Sequence, residues 1–352
     1  MSPICSDERP CWGMIADDLT GACDAAVAFA GEGFTTRVLL TLGAGPVTDA
    51  ALTVVSTDSR DLAPDEAVAK VTDACRWMRE RGVTVLFKKI DSVLRGNIEA
   101  EVEAVMSTCD FDSAVLTLAF PAMGRTVLRK ELRVFGQKPD DSPDLRTMFL
   151  SRPEIAVEDA ETDDDLATIA KAALSRTPVP LIVGSGGLAG AVAKVLAGRR
   201  DNVARTAGRS SPGPPRSDLP IWFVIGSRHA ATEAQVETME ASCLLGDTEQ
   251  LVLLRVSSDH FDEQAVRPAV EAVERGMVGA LVVSGGDTAR LLCGALRAEA
   301  IRLGGEVLPG IPWGRLEGGL ANGTSIVTKS GGFGAPDALL KVADSLRKSN
   351  KE

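Results

Sequence analysis

The sequence predicts an α/β protein of two domains, each a mainly parallel sheet flanked by helices. Three observations point there. Short runs rich in β-branched and aromatic residues alternate with longer Ala-rich amphipathic stretches, the pattern of strands joined by crossover helices. The chain has 352 residues, room for two cores at about 150 residues per domain. Between residues 199 and 219 the apolar periodicity gives way to Arg, Ser, Gly and Pro, the composition of a linker. One domain is therefore expected over 1–198, a linker over 199–219, and a second domain over 220–352.

The elements follow in order. In the first half, apolar runs predict strands over 12–16, 36–41, 53–56, 83–88, 114–118 and 181–183. Helical periodicity predicts helices near 21–30, 65–80, 98–107, 164–174 and 188–196. After the linker the same alternation gives a strand at 221–225, a helix at 230–240, and a strand at 251–256. A helix at 263–275, a strand at 280–283 and a helix at 288–299 come next. A strand at 324–328 and a helix at 336–348 close the chain, with Pro336 suited to a first helical turn.

Composition excludes several functions. Asp plus Glu is 49 against 38 Lys plus Arg, a net charge of −11, and such a field repels a nucleic-acid backbone. With two histidines, His229 and His260, and no tyrosine, a His-rich metal site and a Ser-His-Asp triad lack raw material. The seven cysteines are odd in number and form no Cys-x-x-Cys pair, so they read as buried hydrophobes in a reducing compartment. The N-terminus has Asp7, Glu8 and Arg9 but no apolar signal core. No apolar run reaches the roughly 18 residues of a membrane span. A cytoplasmic protein without membrane or nucleic-acid partners is expected, with room left for a homo-oligomer.

The chemistry concentrates at strand ends. The first predicted strand runs into Asp17-Asp18-Leu19-Thr20-Gly21, at the edge where open α/β sheets bind ligands. Adjacent carboxylates do not match the Asp-x-Asp of haloacid-dehalogenase phosphatases. Mutual repulsion between them is expected to raise the proton affinity of one member. On that ground Asp17 is expected as catalytic base and Asp18 as substrate-orienting. A second cluster, Lys88-Lys89-Ile90-Asp91-Ser92-Val93-Leu94-Arg95-Gly96-Asn97, can bind a carboxylate and hydroxyls through Lys89, Asp91, Ser92 and Arg95. Arg125, in Gly124-Arg125-Thr126, is a weaker candidate for the same substrate.

The second half has three Gly- or Ser-rich turns between strand and helix. They are Gly226-Ser227-Arg228-His229, Ser284-Gly285-Gly286-Asp287-Thr288, and Lys329-Ser330-Gly331-Gly332-Phe333-Gly334. Glycines admit close approach of backbone to phosphate, and a following helix N-terminus supplies free N–H groups. Ser227, Ser284, Gly285, Gly286, Asp287, Thr288, Lys329, Gly331 and Gly332 are thus the nucleotide-binding candidates. Lys329 would add a full charge, and Asp287 suits Mg2+ or helix capping. Neither a Walker-type loop nor a Rossmann fingerprint is present. Gly184-Ser185-Gly186-Gly187 reads equally as phosphate turn or as tight packing, and His229 as a turn residue.

Taken in order, these stretches resemble the four-carbon acid sugar kinase family over nearly the whole chain. The resemblance rests on Ile15-Ala16-Asp17-Asp18-Leu19-Thr20-Gly21-Ala22, Lys89-Ile90-Asp91-Ser92, Leu94-Arg95-Gly96-Asn97, Gly124-Arg125-Thr126 and the three later turns, with Gly310-Ile311-Pro312 between them. It implies an ATP-dependent kinase acting on the terminal hydroxyl of threonate, erythronate or 3-oxo-tetronate. It also implies a sugar-acid domain, a nucleotide domain, ATP and Mg2+ as cofactors, and an active site in the interdomain cleft. A non-catalytic sensor of sugar acid and nucleotide, or a kinase for another small hydroxy acid, is the alternative. One departure stands out: after Thr126 the family continues with a Gly-containing hairpin, whereas Val127–Leu128–Arg129–Lys130–Glu131–Leu132 has no glycine and the segment is short.

Overall fold

A computed structural model describes residues 11–43, 50–139, 144–199, 213–242, 250–257 and 261–347. The chain divides into two compact units, one of residues 1–36 with 46–209 and one of residues 37–45 with 210–352. Residues 200–212 of the expected linker lie outside the described residues. No described helix is long and apolar enough to cross a membrane.

In the N-terminal unit β1 (Trp12–Ala16) leads into α1 (Leu19–Gly31). The chain then makes β2 (Thr36–Leu39), which pairs antiparallel within the other unit, and returns as β3 (Leu52–Ser56). Helix α2 (Pro64–Glu80) has proline in its first turn, Asp65 and Glu66 beside it and Arg79 in its last turn, each placed as the helix dipole favours. Next come β4 (Thr84–Lys89), α3 (Ile98–Thr108) and β5 (Ala114–Thr117). The hairpin β6 (Arg125–Leu128) and β7 (Glu131–Val134), the short α4 (Leu145–Met148) and β8 (Ile155–Val157) follow. Helix α5 (Asp163–Leu174), opened by a Thr162–Asp165 capping box, precedes β9 (Leu181–Gly184) and α6 (Gly186–Gly198). Six of these strands form an all-parallel array in the order β3-β1-β4-β9-β5-β8. Residues such as Met14, Ile15, Phe87, Leu116 and Ile182 are buried, because helices cover both faces of a parallel sheet.

The C-terminal unit holds β10 (Ile221–Ile225), α7 (Ala230–Ala241), β11 (Leu251–Arg255) and α8 (Glu263–Glu274). It continues with β12 (Ala280–Ser284), α9 (Gly286–Ala295), β13 (Ala300–Leu308) and β14 (Ile311–Glu317). Strand β15 (Ser325–Lys329) and α10 (Ala338–Leu346) complete it. Strands β11-β10-β12-β15 are parallel, and β14, β13 and β2 extend them antiparallel. Phe223, Val236, Met239, Val327 and Leu339 form its core.

Three expectations need correction. Helix α9 stops at Ala295, because Arg297 takes a positive φ of 53° that no helix continues through. The long β13–β14 hairpin beyond it carries glycines at Gly304, Gly305 and Gly314, which hid its strand pattern. At Gly304 a side chain would drive into the Trp313 ring. Helix α10 begins at Ala338, after Pro336 rather than with it. Among the described cysteines, Cys23, Cys75, Cys109 and Cys293 are free thiols, whereas Cys11 is disulfide-bonded, against the expectation of thiols throughout.

The β6–β7 hairpin forms without glycine. Its two-residue turn is Arg129–Lys130, both with positive φ (55° and 63°), the geometry of a type I′ turn. Asp159 offsets the strain by accepting from both amides, at 2.9 and 2.8 Å.

Candidate functional site

The carboxyl edge of the N-terminal sheet gathers the acidic and basic motifs. Ala16 and Lys89 are register partners on the adjacent strands β1 and β4, so Asp17, Asp18 and Asp91 emerge side by side. Ala16 is also paired with Ser56 at the end of β3, which brings the following loop and Arg60 to the same place. Arg60 is the residue the sequence reading missed. Its Nε and Nη2 donate to the two oxygens of Asp17 at 2.7 and 2.9 Å, and Nη2 also donates to Asp18 at 2.6 Å. Its Nη1 lies 3.6 Å from Asp91. An arginine in a loop carries no local signal; only the fold shows three carboxylates around it.

This arrangement overturns the repulsion argument. Burial pushes the Asp17 carboxyl up, but Arg60, Lys88 and Lys89 outweigh it and hold the group below its ordinary value. Asp17 is thus an ionised carboxylate with both oxygens already bonded. Asp18 caps α1, accepting from Gly21 N at 3.1 Å and from Thr20 Oγ1 at 2.7 Å. Gly21 is required there: a Cβ would collide with Asp18 Oδ1 and lie 2.9 Å from Lys89 Nζ.

Alternation along β4 separates the two lysines. Lys88 is fully buried in an ion pair with Glu101 at 2.7 Å, and Ser59 supports the same carboxylate at 2.6 Å. Lys89 is also buried, yet its Nζ donates to Ile90 O at 2.9 Å and reaches no carboxylate within 4 Å among the described residues. Asp91 accepts from the backbone of Val93 and Arg95 and from the Arg95 side chain at 3.0 and 2.8 Å. Burial works against its charge, but Arg95 and Arg60 prevail and its pKa lies well below the carboxylate range. Arg95 is the exposed partner, its side chain 65% accessible. Asn97 donates to the carbonyls of Ser59 and Leu62, and Gly96 packs on Arg60, so this motif also holds the Arg60 loop. Ser92 is half-buried. Burial draws the Arg125 guanidinium down in pKa while Asp91 and Asp24 act against that, which places Arg125 with the same cluster. The cluster therefore mixes ionised carboxylates with Lys89, Arg95 and Arg125, suited to a small acid bearing hydroxyls.

In the C-terminal unit the three turns leave the carboxyl ends of the neighbouring parallel strands β10, β12 and β15. They meet. A Cβ at Gly331 would collide with Ser227 Oγ, and one at Gly285 would lie 3.2 Å from Ser227 N. Gly285 has a φ of 111° and opens α9 without a side-chain cap. Gly226 likewise leaves no room, because Thr288 Oγ1 fills the space. The carbonyls of the 330–335 loop are turned inward. Lys329 Nζ donates to those of Ser330 and Gly331, and Gln235 Nε2 to those of Phe333, Gly334 and Ala335. The N–H groups of Gly331 and Gly332 have no acceptor among the described residues, nor do the first amides of α9. Such converging amides and an uncapped helix end suit an anion.

Individual candidates differ in what they can touch. Ser227, Gly285, Gly286, Gly331 and Gly332 line the convergence, and Asp287 is exposed in the first turn of α9. Ser284 and Thr288 are buried, the first with its hydroxyl 3.3 Å from that of Thr232. Lys329 does not offer its charge outward as expected. It has 0% exposure, donates to Thr232 Oγ1 at 3.0 Å and to two carbonyls, and burial pulls its pKa down to about 8.

Comparisons with known proteins agree with this division. A model of a sugar-binding N-terminal domain matches residues 12–153, and a model of a nucleotide-binding C-terminal domain matches residues 256–339. A D-threonate kinase of Bordetella bronchiseptica is 30% identical, over 96% of this chain and 98% of the relative. A D-erythronate kinase of Heliobacterium modesticaldum is 29% identical over 95% and 96% of the two chains. A 3-oxo-tetronate kinase of Pseudomonas fluorescens is 26% identical over 97% and 98%. Crystal structures of proteins from Salmonella typhimurium and Haemophilus influenzae share the fold, with TM-scores of 0.73 and 0.69. Both are 20% identical, the first over 96% of this chain and 99% of that one, the second over 94% and 99%. With the ordered motifs in place and a relative matched from end to end at that identity, the chain belongs to the four-carbon acid sugar kinase family.

Proposed function

We propose that this chain transfers the γ-phosphoryl group of ATP to the terminal hydroxyl of a four-carbon sugar acid such as threonate, erythronate or 3-oxo-tetronate. The N-terminal unit, residues 1–36 with 46–209, would hold the acid, and the C-terminal unit, residues 37–45 with 210–352, the nucleotide; the segment 37–45, expected in the first domain, falls in the second. The observation that carries this is the meeting of three glycine turns at the carboxyl ends of β10, β12 and β15, with backbone amides left without acceptors among the described residues. The relatives named for these acids support the substrate class.

Phosphoryl transfer asks for alignment and charge neutralisation more than for covalent chemistry. Lys89, Arg95 and Arg125 would receive the substrate carboxylate, and Asp18, Asp91 and Ser92 would border its hydroxyls. Asp17, ionised but weakly basic, would accept a hydrogen bond from the attacking hydroxyl rather than remove its proton early. A loose transition state tolerates that, since the hydroxyl proton is lost late. When bound with the triphosphate, Mg2+ would supply neutralisation of the charge on the phosphate oxygens. No cluster of three metal-ligating side chains occurs among the described residues, and Asp287, exposed in the first turn of α9, would be the carboxylate to meet the ion.

The test is an ATP-coupled assay of the purified chain with threonate, erythronate, 3-oxo-tetronate and five-carbon acids. Turnover with one four-carbon acid supports the reading. Binding of acid and ATP by calorimetry without any turnover would instead identify a sensor.

A further inference from the structure

We infer that Arg228 carries the positive charge to the triphosphate, and that Lys329 is a positioning residue for the amides around it. The inference rests on the nucleotide assignment above and adds to it the cation that faces the triphosphate. A triphosphate brings several negative charges to a chain whose own net charge is −11, so amides alone leave the charge poorly matched. The three turns contain three groups able to be cationic: Arg228, His229 and Lys329.

Lys329 is spent. A protonated ammonium has three N–H donors, and its acceptors are Thr232 Oγ1, Ser330 O and Gly331 O, at 3.0, 3.1 and 3.2 Å. No donor remains for a phosphate, and the side chain has no exposure. What these bonds do is rotate the 330–331 carbonyls inward, which sends the Gly331 and Gly332 amides the other way. His229 is spent differently. Its Nδ1 accepts from Ala231 N at 3.2 Å as the cap of α7, which ties the ring to that helix end.

Arg228 is what remains. It is exposed and forms no ion pair or side-chain hydrogen bond among the described residues. The residues on either side of it both touch the phosphate-type loop: Ser227 abuts Gly331, and His229 Nε2 would lie 3.2 Å from a Cβ at Gly332. An arginine anchored between those two contacts is held next to the converging amides. Its planar fork suits phosphate oxygens.

The experiment measures binding of ATP with Mg2+ and of adenosine to the full chain by calorimetry. Arg228→Ala should weaken ATP by about 10- to 100-fold, as loss of a charge-assisted bond does, and leave adenosine unchanged. Arg228→Lys should recover part of the loss, and the salt dependence of ATP affinity should flatten in Arg228→Ala. Arg290→Ala, which removes an exposed cation further along α9, should bind ATP like the parent chain. Unchanged ATP affinity in Arg228→Ala, equal losses for ATP and adenosine, or an equal loss in Arg290→Ala would overturn the inference. A parent chain that binds no ATP would instead overturn the nucleotide assignment itself.

Discussion

Replacing Arg60 by methionine tests the architecture of the acid-sugar half directly. The guanidinium makes three hydrogen bonds to Asp17 and Asp18 and approaches Asp91. The side chains involved are nearly buried, 12% accessible for Arg60 and 4% for Asp17. Three charge-assisted bonds would sum to several kcal/mol, but desolvating the guanidinium offsets part of that. Removing one member of a buried pair typically costs about 3–5 kcal/mol, because the other charge stays buried and unmatched. That range is the expected loss at pH 7 in urea unfolding followed by circular dichroism. The pH dependence sharpens the test. In the parent chain Asp17 and Asp91 lie below their usual 3.8, so their stabilisation is complete above that value and lost only as pH falls further. In Arg60→Met, burial dominates Asp17 and raises its pKa, so instability grows as pH rises from about 4 to 7. The difference between the two proteins should therefore shrink toward pH 4. A difference under about 1 kcal/mol that is flat from pH 4 to 7 would refute the hub role of Arg60.

Other outcomes follow from the same geometry. Asp17→Asn should lower kcat by about 10²-fold while both ligands still bind, and near-normal kcat would make the carboxylate purely structural. Gly331→Ala should weaken ATP about tenfold, through collision with Ser227 Oγ, with thermal stability nearly kept; unchanged affinity would show that the loop yields freely. Lys329 has a folded pKa of about 8 against an ordinary 10.5, so above pH 8 the unfolded chain binds more protons. Stability of the C-terminal unit should then rise from pH 8 toward 10, and that rise should vanish in Lys329→Met.

Much of the candidate site was legible because its residues are consecutive. Asp17-Asp18, Lys89 to Asn97 and the glycine turns each sit where one strand ends, and strand ends can be read from apolar runs. Arg60 was illegible because its meaning comes from β3 lying beside β1, a register that no local pattern encodes. The exchange of roles between Lys329 and Arg228 was hidden for a similar reason. Both are cations in glycine-rich turns, and only burial separates the one that is spent from the one that is free.

The sequence by itself determined the two-domain α/β architecture, most of its strands and helices, the family and the short segments proposed to carry the chemistry. These depend on periodicity, turn residues and order along the chain, which are local properties. Only the tertiary structure decided how the charges balance. It bound Asp17 to Arg60 instead of letting it repel Asp18, hid Lys329 under its own loop, and built the β6–β7 turn on Asp159 where glycine was missing. The physical reason is that ionisation, strain and donor availability depend on neighbours brought together from distant parts of the chain. A carboxylate's proton affinity is set by the cation folded against it, not by the residue next in line.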